Sequence, residues 1–413
     1  MHQIPSLNRI LCLVAAMAII HSVQAAPAVS WEISSRCDKE IFPSLLISTA
    51  SMESEKEELE ENELGDSDST IGIQLTSPAK RGATVEIKIR ANRVMEESTF
   101  TGTLSRADTD YDIFPQINWK YDELIKVKQA EPLTVVFDLS INGVSQGSRS
   151  LTVRLHSVNE CPFYLYGDEE DGSDDTDLTF LFAAYVNEDH PWIDNILKQA
   201  LQTGIVDSFD GYQSGDPEKV YLQVFAIWKV LQNLGFRYSN ITTLGIKTEK
   251  MESQHVRFLD ESVKARQANC VDGSVLFASV LRKIGLDTFL VTIPEHMFVG
   301  FYLDEDATKP VGLETTMLGD KQNVFAKELD GISAKTNARL KEDASFSAFE
   351  TAIQSATKDL KSNKKKFDKE NQPDYRIVSI EESRNIGILP LTYVRGGVDS
   401  QREQGQVKQP PAR

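Results

Sequence analysis

Basic residues are the scarce class in this chain. Across 413 residues, 44 Lys and Arg stand against 62 Asp and Glu, giving a formal net charge of −18 and a pI near 4.9. Attraction to phosphate needs clustered Lys and Arg, so this balance argues against nucleic acid or an anionic membrane as the main partner. Histidine is rarer still, with 6 in all. No HExxH or CxxC occurs, and His190 and His255 are too isolated in the sequence to suggest a metal site. Neither a metal nor an organic cofactor is expected. Internal repeats are lacking, and beyond the first 25 residues no apolar stretch is long enough to span a bilayer. What is present is ordinary for a globular protein: 40% hydrophobic and 26% charged residues exclude disorder throughout. The length allows two or three domains of roughly 100–200 residues.

The first residues hold Arg9, an apolar run from Ile10 to Ile20, and the small-residue site Val23-Gln24-Ala25. This is the layout of a secretory signal peptide over residues 1–25, with cleavage after Ala25. The apolar run is too short for a membrane anchor. The mature protein is therefore expected to be exported, periplasmic or extracellular, without an integral membrane segment. Its three remaining cysteines are Cys37, Cys161 and Cys270. Cys37 and Cys161 flank one β-rich region and form the natural disulfide pair, which leaves Cys270 to be explained separately.

The β-rich region, 28–165, follows a period of two. Ile71, Ile73 and Leu75 alternate with polar neighbours, as do Val85, Ile87 and Ile89; Val135 to Ile141 runs into Asn142-Gly143, and Leu151, Val153 and Leu155 follow. Such strands predict an antiparallel β-sandwich of immunoglobulin-like size. Between Met52 and Asp68, nine acidic residues without apolar period read as a solvated loop. A second acidic stretch, Asp168 to Asp177, reads as part of an interdomain linker over 166–177, because it lacks the glycine and glutamate positions of a calcium loop.

Beyond it the period becomes helical. Val220, Val224, Ile227, Trp228, Leu231 and Leu234 form a core stripe stopped by Gly235. A buried helix is expected from Val271 to Leu281, ending near Gly285. Strands are expected at Phe289–Ile293, Met297–Leu303 and Val311–Thr315. In the C-terminal segment 344–395, Phe349, Ile353, Ala356 and Leu360 mark an amphipathic helix with a solvated lysine cluster after it, and Tyr375–Ile380 a returning strand. The tail, 396–413, is expected to be disordered.

Cys270 falls at the N-terminus of the helix from Val271. Such a position favours a thiolate, the nucleophilic form. His296, at a strand start, can exchange protons with it, and Glu314 on the next strand can accept the second imidazole N–H. Counting from the intervening turn, His296 and Glu314 are offset, so a bulge or an asymmetric turn is needed for them to meet. Asp272, two positions after Cys270, is a cleft candidate that either caps the helix amides, the favoured role, or positions substrate. An oxyanion hole requires donors. The Cys270 N–H is one, with Gln213 and Trp192 as candidates for the other. Gln254, Arg257 and Arg266 either line a cleft or, by default, make structural hydrogen bonds to nearby backbone.

Asn269-Cys270-Val271-Asp272 opening a helix, Leu281 to Leu286 closing it, His296-Met297-Phe298-Val299 on a strand, and Glu314-Thr315-Thr316 resemble the transglutaminase-like superfamily. In that family the last motif is usually Asp-Pro-Thr, so Glu and Thr depart from it here. The resemblance covers roughly residues 178–320 and takes in the compact bacterial type. It implies an α+β class, with a papain-like α+β domain over 178–325 following the sandwich. It also implies Cys270 as nucleophile, His296 as base and Glu314 as orienter, acting on a protein or peptide substrate. Three functions follow: a protease or amidase, a cross-linking transglutaminase with the same residues, or a non-catalytic binding or assembly protein on that scaffold.

Overall fold

The computed structural model describes residues 29–52, 61–78, 80–167, 175–239, 245–248, 250–319, 333–340, 342–369 and 372–391. The expected signal peptide and C-terminal tail lie outside the described residues. Helices and several sheets occur together, so the class is α+β.

The first half contains β1 (Trp31–Ser35), β2 (Glu40–Ile41), α1 (Pro43–Ser48), β3 (Glu63–Gly65), β4 (Ile71–Thr76), β5 (Ala83–Ile89), β6 (Ser98–Leu104), β7 (Asp110–Phe114), α2 (Tyr121–Leu124), β8 (Glu131–Ile141) and β9 (Val144–Leu155). Period-two alternation decides which side chains are buried. Val85 and Ile87 of β5 lie opposite Ile141 and Leu139 of β8, and all four are buried. Asn142 and Gly143 turn the β8–β9 hairpin with φ of 51° and 77°, the left-handed pair that a two-residue hairpin requires. The sheets β1-β4-β7-β3 and β2-β9-β8-β5-β6 share one core, in which Trp31, Ile73 and Tyr111 meet Phe137 and Leu139.

The pairing is not wholly antiparallel, because β2 runs parallel to β9 and β3 parallel to β7. β3 also corrects the expected loop between Met52 and Asp68. Leu64 joins the core, and Gly65 lets the backbones approach so closely that a Cβ there would lie 2.1 Å from the Phe114 carbonyl oxygen.

The expected Cys37–Cys161 bridge is absent, and both residues are buried free thiols. Cys37 clusters with Phe42, Met251 and Leu165, whereas Cys161 belongs to the main core of the second half. Cys161 is four residues from Leu165 along one strand, a rise of about 13 Å. A disulfide needs Cα atoms within about 7 Å. Burial pushes the Cys37 thiol up to about 11, against a smaller opposing effect of Arg36.

The second half contains β10 (Glu160–Leu165), β11 (Thr176–Asp177), a 3-10 turn (Thr179–Tyr185), α3 (Pro191–Gln202), α4 (Pro217–Asn233), β12 (Arg237–Tyr238), β13 (Ile246–Lys247), β14 (Met251–His255), α5 (Leu259–Ala265), β15 (Gln267–Ala268), α6 (Cys270–Lys283), β16 (Thr288–Ile293), β17 (His296–Tyr302), β18 (Pro310–Leu313), a 3-10 turn (Thr315–Gly319), α7 (Ala334–Leu340), α8 (Ala344–Phe367), β19 (Arg376–Ser379) and α9 (Ile380–Asn385). β10, grouped by its sequence with the first half, pairs instead with β14. The acidic stretch after it is only partly a connector. Asp175 accepts hydrogen bonds from the Tyr164 hydroxyl and Gly167 N–H, and Asp177 pairs with Arg376. Residues 168–174 of that stretch lie outside the described residues.

α4 starts at the Asp216 cap, whose carboxylate accepts the Glu218 N–H, and its apolar stripe is buried around Trp228. The sheet β18-β17-β16-β19 carries the site. Leu290, Met297, Val299 and Phe301 join the main core with Val275 and Phe277 of α6, while Phe289, Val291 and Phe298 pack with Ala356 and Leu360 of α8. Alternation along β16 and β17 therefore sends successive side chains to different helices. The expected strand at Val311–Thr315 ends at Leu313, where the chain passes into the 3-10 turn.

Gly312 is where α8 comes closest to this sheet. A Cβ there would lie 2.8 Å from both the backbone carbon and the Cβ of Ala356, and the Thr357 hydroxyl accepts the Gly312 N–H at 3.1 Å. Gly312→Ala is expected to cost about 1–3 kcal/mol in urea unfolding. An unchanged midpoint would show that α8 is not seated this closely.

Candidate active site

The site is built outward from the start of α6. The Asn269 side chain accepts the Asp272 N–H at 2.8 Å, and the Asp272 carboxylate accepts the Asn269 N–H at 3.3 Å. This reciprocal cap satisfies amides that the helix geometry leaves free. Asp272 also accepts the Arg257 N–H at 2.8 Å, so the capping role expected of it is the observed one. Burial pushes its carboxyl pKa up, and the bonds to Arg257 and Asn269 only partly oppose this.

Cys270 is the first helical residue and is half-buried. As the first residue of the helix, its N–H has no intrahelical acceptor. The Ser274 hydroxyl donates to the Cys270 carbonyl at 2.7 Å and lies 3.5 Å from the Met297 carbonyl, which ties this turn to β17.

His296 opens β17 after the two-residue turn Pro294-Glu295, in which Glu295 has φ 61°. Its Nε2 bonds Oε2 of Glu314 at 2.7 Å, and Cys270 lies close enough to help raise the pKa of the ring. The other Glu314 oxygen accepts the Thr316 N–H at 3.0 Å and the Thr316 hydroxyl at 2.6 Å. No bulge was needed to bring the pair together. Val299 lies opposite Leu313, so continuing the register puts Glu314 beside Phe298, one diagonal step from His296 on the same face. A long carboxylate side chain spans that diagonal.

Burial disfavours the imidazolium, but hydrogen bonds to Cys270 and Glu314 outweigh it and push the His296 pKa up to about 10. Burial likewise opposes charge on Glu314, yet its bonds to His296 and Thr316 hold the carboxyl below its ordinary value. A charged ring and a charged carboxylate therefore stabilise each other.

Of the two further oxyanion candidates, Gln213 lies elsewhere. Gly211 packs against the Ile284 carbonyl, and the Tyr212 hydroxyl donates to Tyr302 O and accepts the Asp287 N–H, both at 3.0 Å. This turn holds Gln213, exposed, at the far end of the 14-residue α6, about 20 Å from Cys270 at 1.5 Å per residue. Trp192 on α3 is half-buried and packs against Phe236, with ring centroids 5.9 Å apart and planes tilted by 46°.

The residue missed by sequence reasoning is Tyr238. β12 pairs parallel with β15, placing Tyr238 opposite Ala268, two residues before Cys270. Its ring is 43% exposed. Burial, then the charges of Cys270 and Glu314, raise its pKa. No linear signal marked it, because the pairing of two two-residue strands creates the proximity.

Gln254, Arg257 and Arg266 make structural bonds to the His255 carbonyl, the Gln267 carbonyl and, through Arg266 O, the Arg237 N–H. His190 pairs with Asp260 and His255 with Glu160. Among the described residues no group of three or more His, Cys, Asp or Glu is arranged to hold a metal ion, and no helix is long and apolar enough to cross a membrane. Neither a protein-family model nor a curated protein matches the chain.

His296 carries a pH signature. Its folded pKa, near 10, lies above its ordinary value of about 6.5. The folded chain therefore holds an extra proton between those limits. The stabilisation is fully present below about pH 6.5 and is lost as pH rises through about 10. The thermal midpoint of the wild type, relative to His296→Gln, is expected to fall across that window. A constant difference would show that the ring is not held charged.

Proposed function

We propose that the chain is a cysteine-dependent acyl-transfer enzyme acting on peptide-type amides through a thioester, with hydrolysis as its outcome. The observation that carries this reading is the 2.7 Å bond between His296 Nε2 and Glu314, which leaves Nδ1 of the same ring for Cys270. A structural histidine needs no such ordered neighbours on both sides. The likeness of the Asn269–Asp272, His296–Val299 and Glu314–Thr316 segments to the transglutaminase-like superfamily agrees with it. So do a helix and a strand meeting at the Cys270–His296 pair.

In this mechanism the Cys270 sulfur attacks the amide carbonyl carbon, and the carbonyl oxygen becomes an oxyanion that the Cys270 N–H can receive. His296, held charged by Glu314, gives its proton to the leaving amine as the C–N bond breaks. Neutral His296 then takes a proton from water, whose oxygen attacks the thioester. The acid departs, and Cys270 leaves as thiolate beside a recharged imidazole. Tyr238, close enough for Cys270 and Glu314 to act on its hydroxyl, is the second oxyanion donor in this reading. If an amine replaces water, the same steps yield a cross-link. The N-terminal segment makes export, to a periplasm or the cell exterior, part of the proposal. The sandwich-like first half takes the role of a recognition module.

Iodoacetamide is expected to label Cys270 rapidly at mildly acidic pH in the wild type and slowly in His296→Ala, read by mass spectrometry. Slow labelling in both would leave a binding protein on the same scaffold as the better reading. Against a peptide library, Cys270→Ala is expected to abolish cleavage, and Glu314→Ala to lower kcat by about 10²–10⁴-fold. Covalent uptake of a dansylated amine that depends on Cys270 would replace hydrolysis with amine transfer.

A further inference from the structure

β6 closes one end of the five-stranded sheet, so its outer row of backbone N–H and C=O groups faces no strand among the described residues. Its seven residues, STFTGTL, include no charge and no proline. The other sheet ends are protected. β2 has two residues and β3 three; β1 carries Glu32, and Trp31 donates through Nε1 to Gln146 O. β18 begins at Pro310 and gives its Gly312 N–H to Thr357, and β19 carries Arg376. Charges, proline and covering contacts are how proteins keep edges from pairing. β6 has neither a charge nor a proline, and Leu64 of β3 reaches it on the core side, at Gly102.

The sequence around β6 also matches itself when reversed. Set antiparallel to a second copy about Thr101, Thr101 meets Thr101, Thr99 meets Thr103, and Phe100 meets Gly102. Two residues beyond the strand, Glu96 meets Arg106 on both sides of the axis. Thr99, Thr101 and Thr103 are exposed on one face, and Phe100 and Gly102 share the other. The Phe100 ring already leans over its own Gly102, where a Cβ would lie 3.0 Å from it. Threonine pairs and opposite charges are favourable cross-strand neighbours.

We propose that β6 is a homodimer seam, with two copies of this chain joined edge to edge about a two-fold axis at Thr101 to make one continuous sheet. Two copies each carrying a net charge of −18 repel over most of their surface. A seam between them has to be uncharged or cross-paired in sign, and this strip is uncharged along β6 and cross-paired at its ends. Glu96 and Arg106 each have an ion partner within the chain, Lys120 and Glu61, so the seam extends existing pairs into a network. An isologous contact of this kind closes on itself and stops at two copies. The proposal is independent of the acyl-transfer reading.

Sedimentation equilibrium of the purified protein tests it. The wild type is expected to show a monomer–dimer equilibrium. Thr101→Lys sets two ammonium groups against each other at an exposed position and is expected to give monomer only. Arg106→Glu places Glu against Glu96 and is expected to weaken the dimer about tenfold, and Glu96→Arg combined with Arg106→Glu to return it within about threefold. Circular dichroism confirms that each variant is folded. A wild type that stays monomeric at its highest soluble concentration overturns the seam. So does a dimer indifferent to Thr101→Lys, or a double variant that recovers nothing.

Discussion

The reciprocal cap at the start of α6 is the constraint on which the site depends. A helix that begins inside a protein exposes amides that water cannot reach, and leaving them unpaired is costly. Asn269 and Asp272 satisfy each other's backbone N–H, and Asp272 also binds Arg257 N–H from the segment leading into α5. Asp272 is 1% exposed. Its charge is therefore committed to these amides, and the direction of α6 is fixed by them. Cys270 occupies the first turn because the residues on either side of it are the cap.

The partners of that thiol are set by sheet register. Pairing of β17 with β18 brings Glu314 to the diagonal of His296, and Thr316 holds the other carboxylate oxygen so that the first points at the ring. Thr315 packs so close to Gly273 in the first turn of α6 that a Cβ there would meet its hydroxyl at 2.6 Å. The helix that carries the thiol and the strand end that carries the carboxylate are thus locked together through a glycine. On its outer side β18 is fastened by α8, whose Ala352 carbonyl accepts the Glu314 N–H at 3.2 Å. The C-terminal helix is part of the support for the acid of the site.

The two halves are joined by more than a connector. Asn159 donates to the Val256 carbonyl at 2.9 Å and to Glu261 at 2.7 Å, and Glu160 bonds His255 at 3.0 Å. These bonds meet the chain just before Arg257, whose N–H binds Asp272. The link between β9 and β10 is therefore attached next to the cap. In the proposed enzyme, a recognition module and a catalytic helix would share one hydrogen-bonded junction.

Local pattern made much of this legible. Alternation in Ile71–Leu75, Val85–Ile89 and Val135–Ile141 gave strands, because a period of two buries one face whatever follows in the chain. The helical stripe around Trp228 and the helix from Cys270 followed from their periods and stop signals. Cys270, His296, Glu314 and Asp272 were legible because each sits at an element boundary that its neighbours mark. Pairing across distance was not legible. Flanking positions suggested that Cys37 and Cys161 were bridged, but they fall in different clusters. Gln213 was a possible oxyanion donor by sequence, and the fold carries it to the far end of α6 from Cys270. β10 changed sheets, β3 emerged from an acidic run, and Tyr238 came beside the segment leading into Cys270 through a strand pair too short to recognise. The sequence by itself determined the elements and which residues head them, since those depend on neighbours within a few positions. Only the tertiary structure decided register, strand order and which distant side chains share a site, because these depend on how whole surfaces pack.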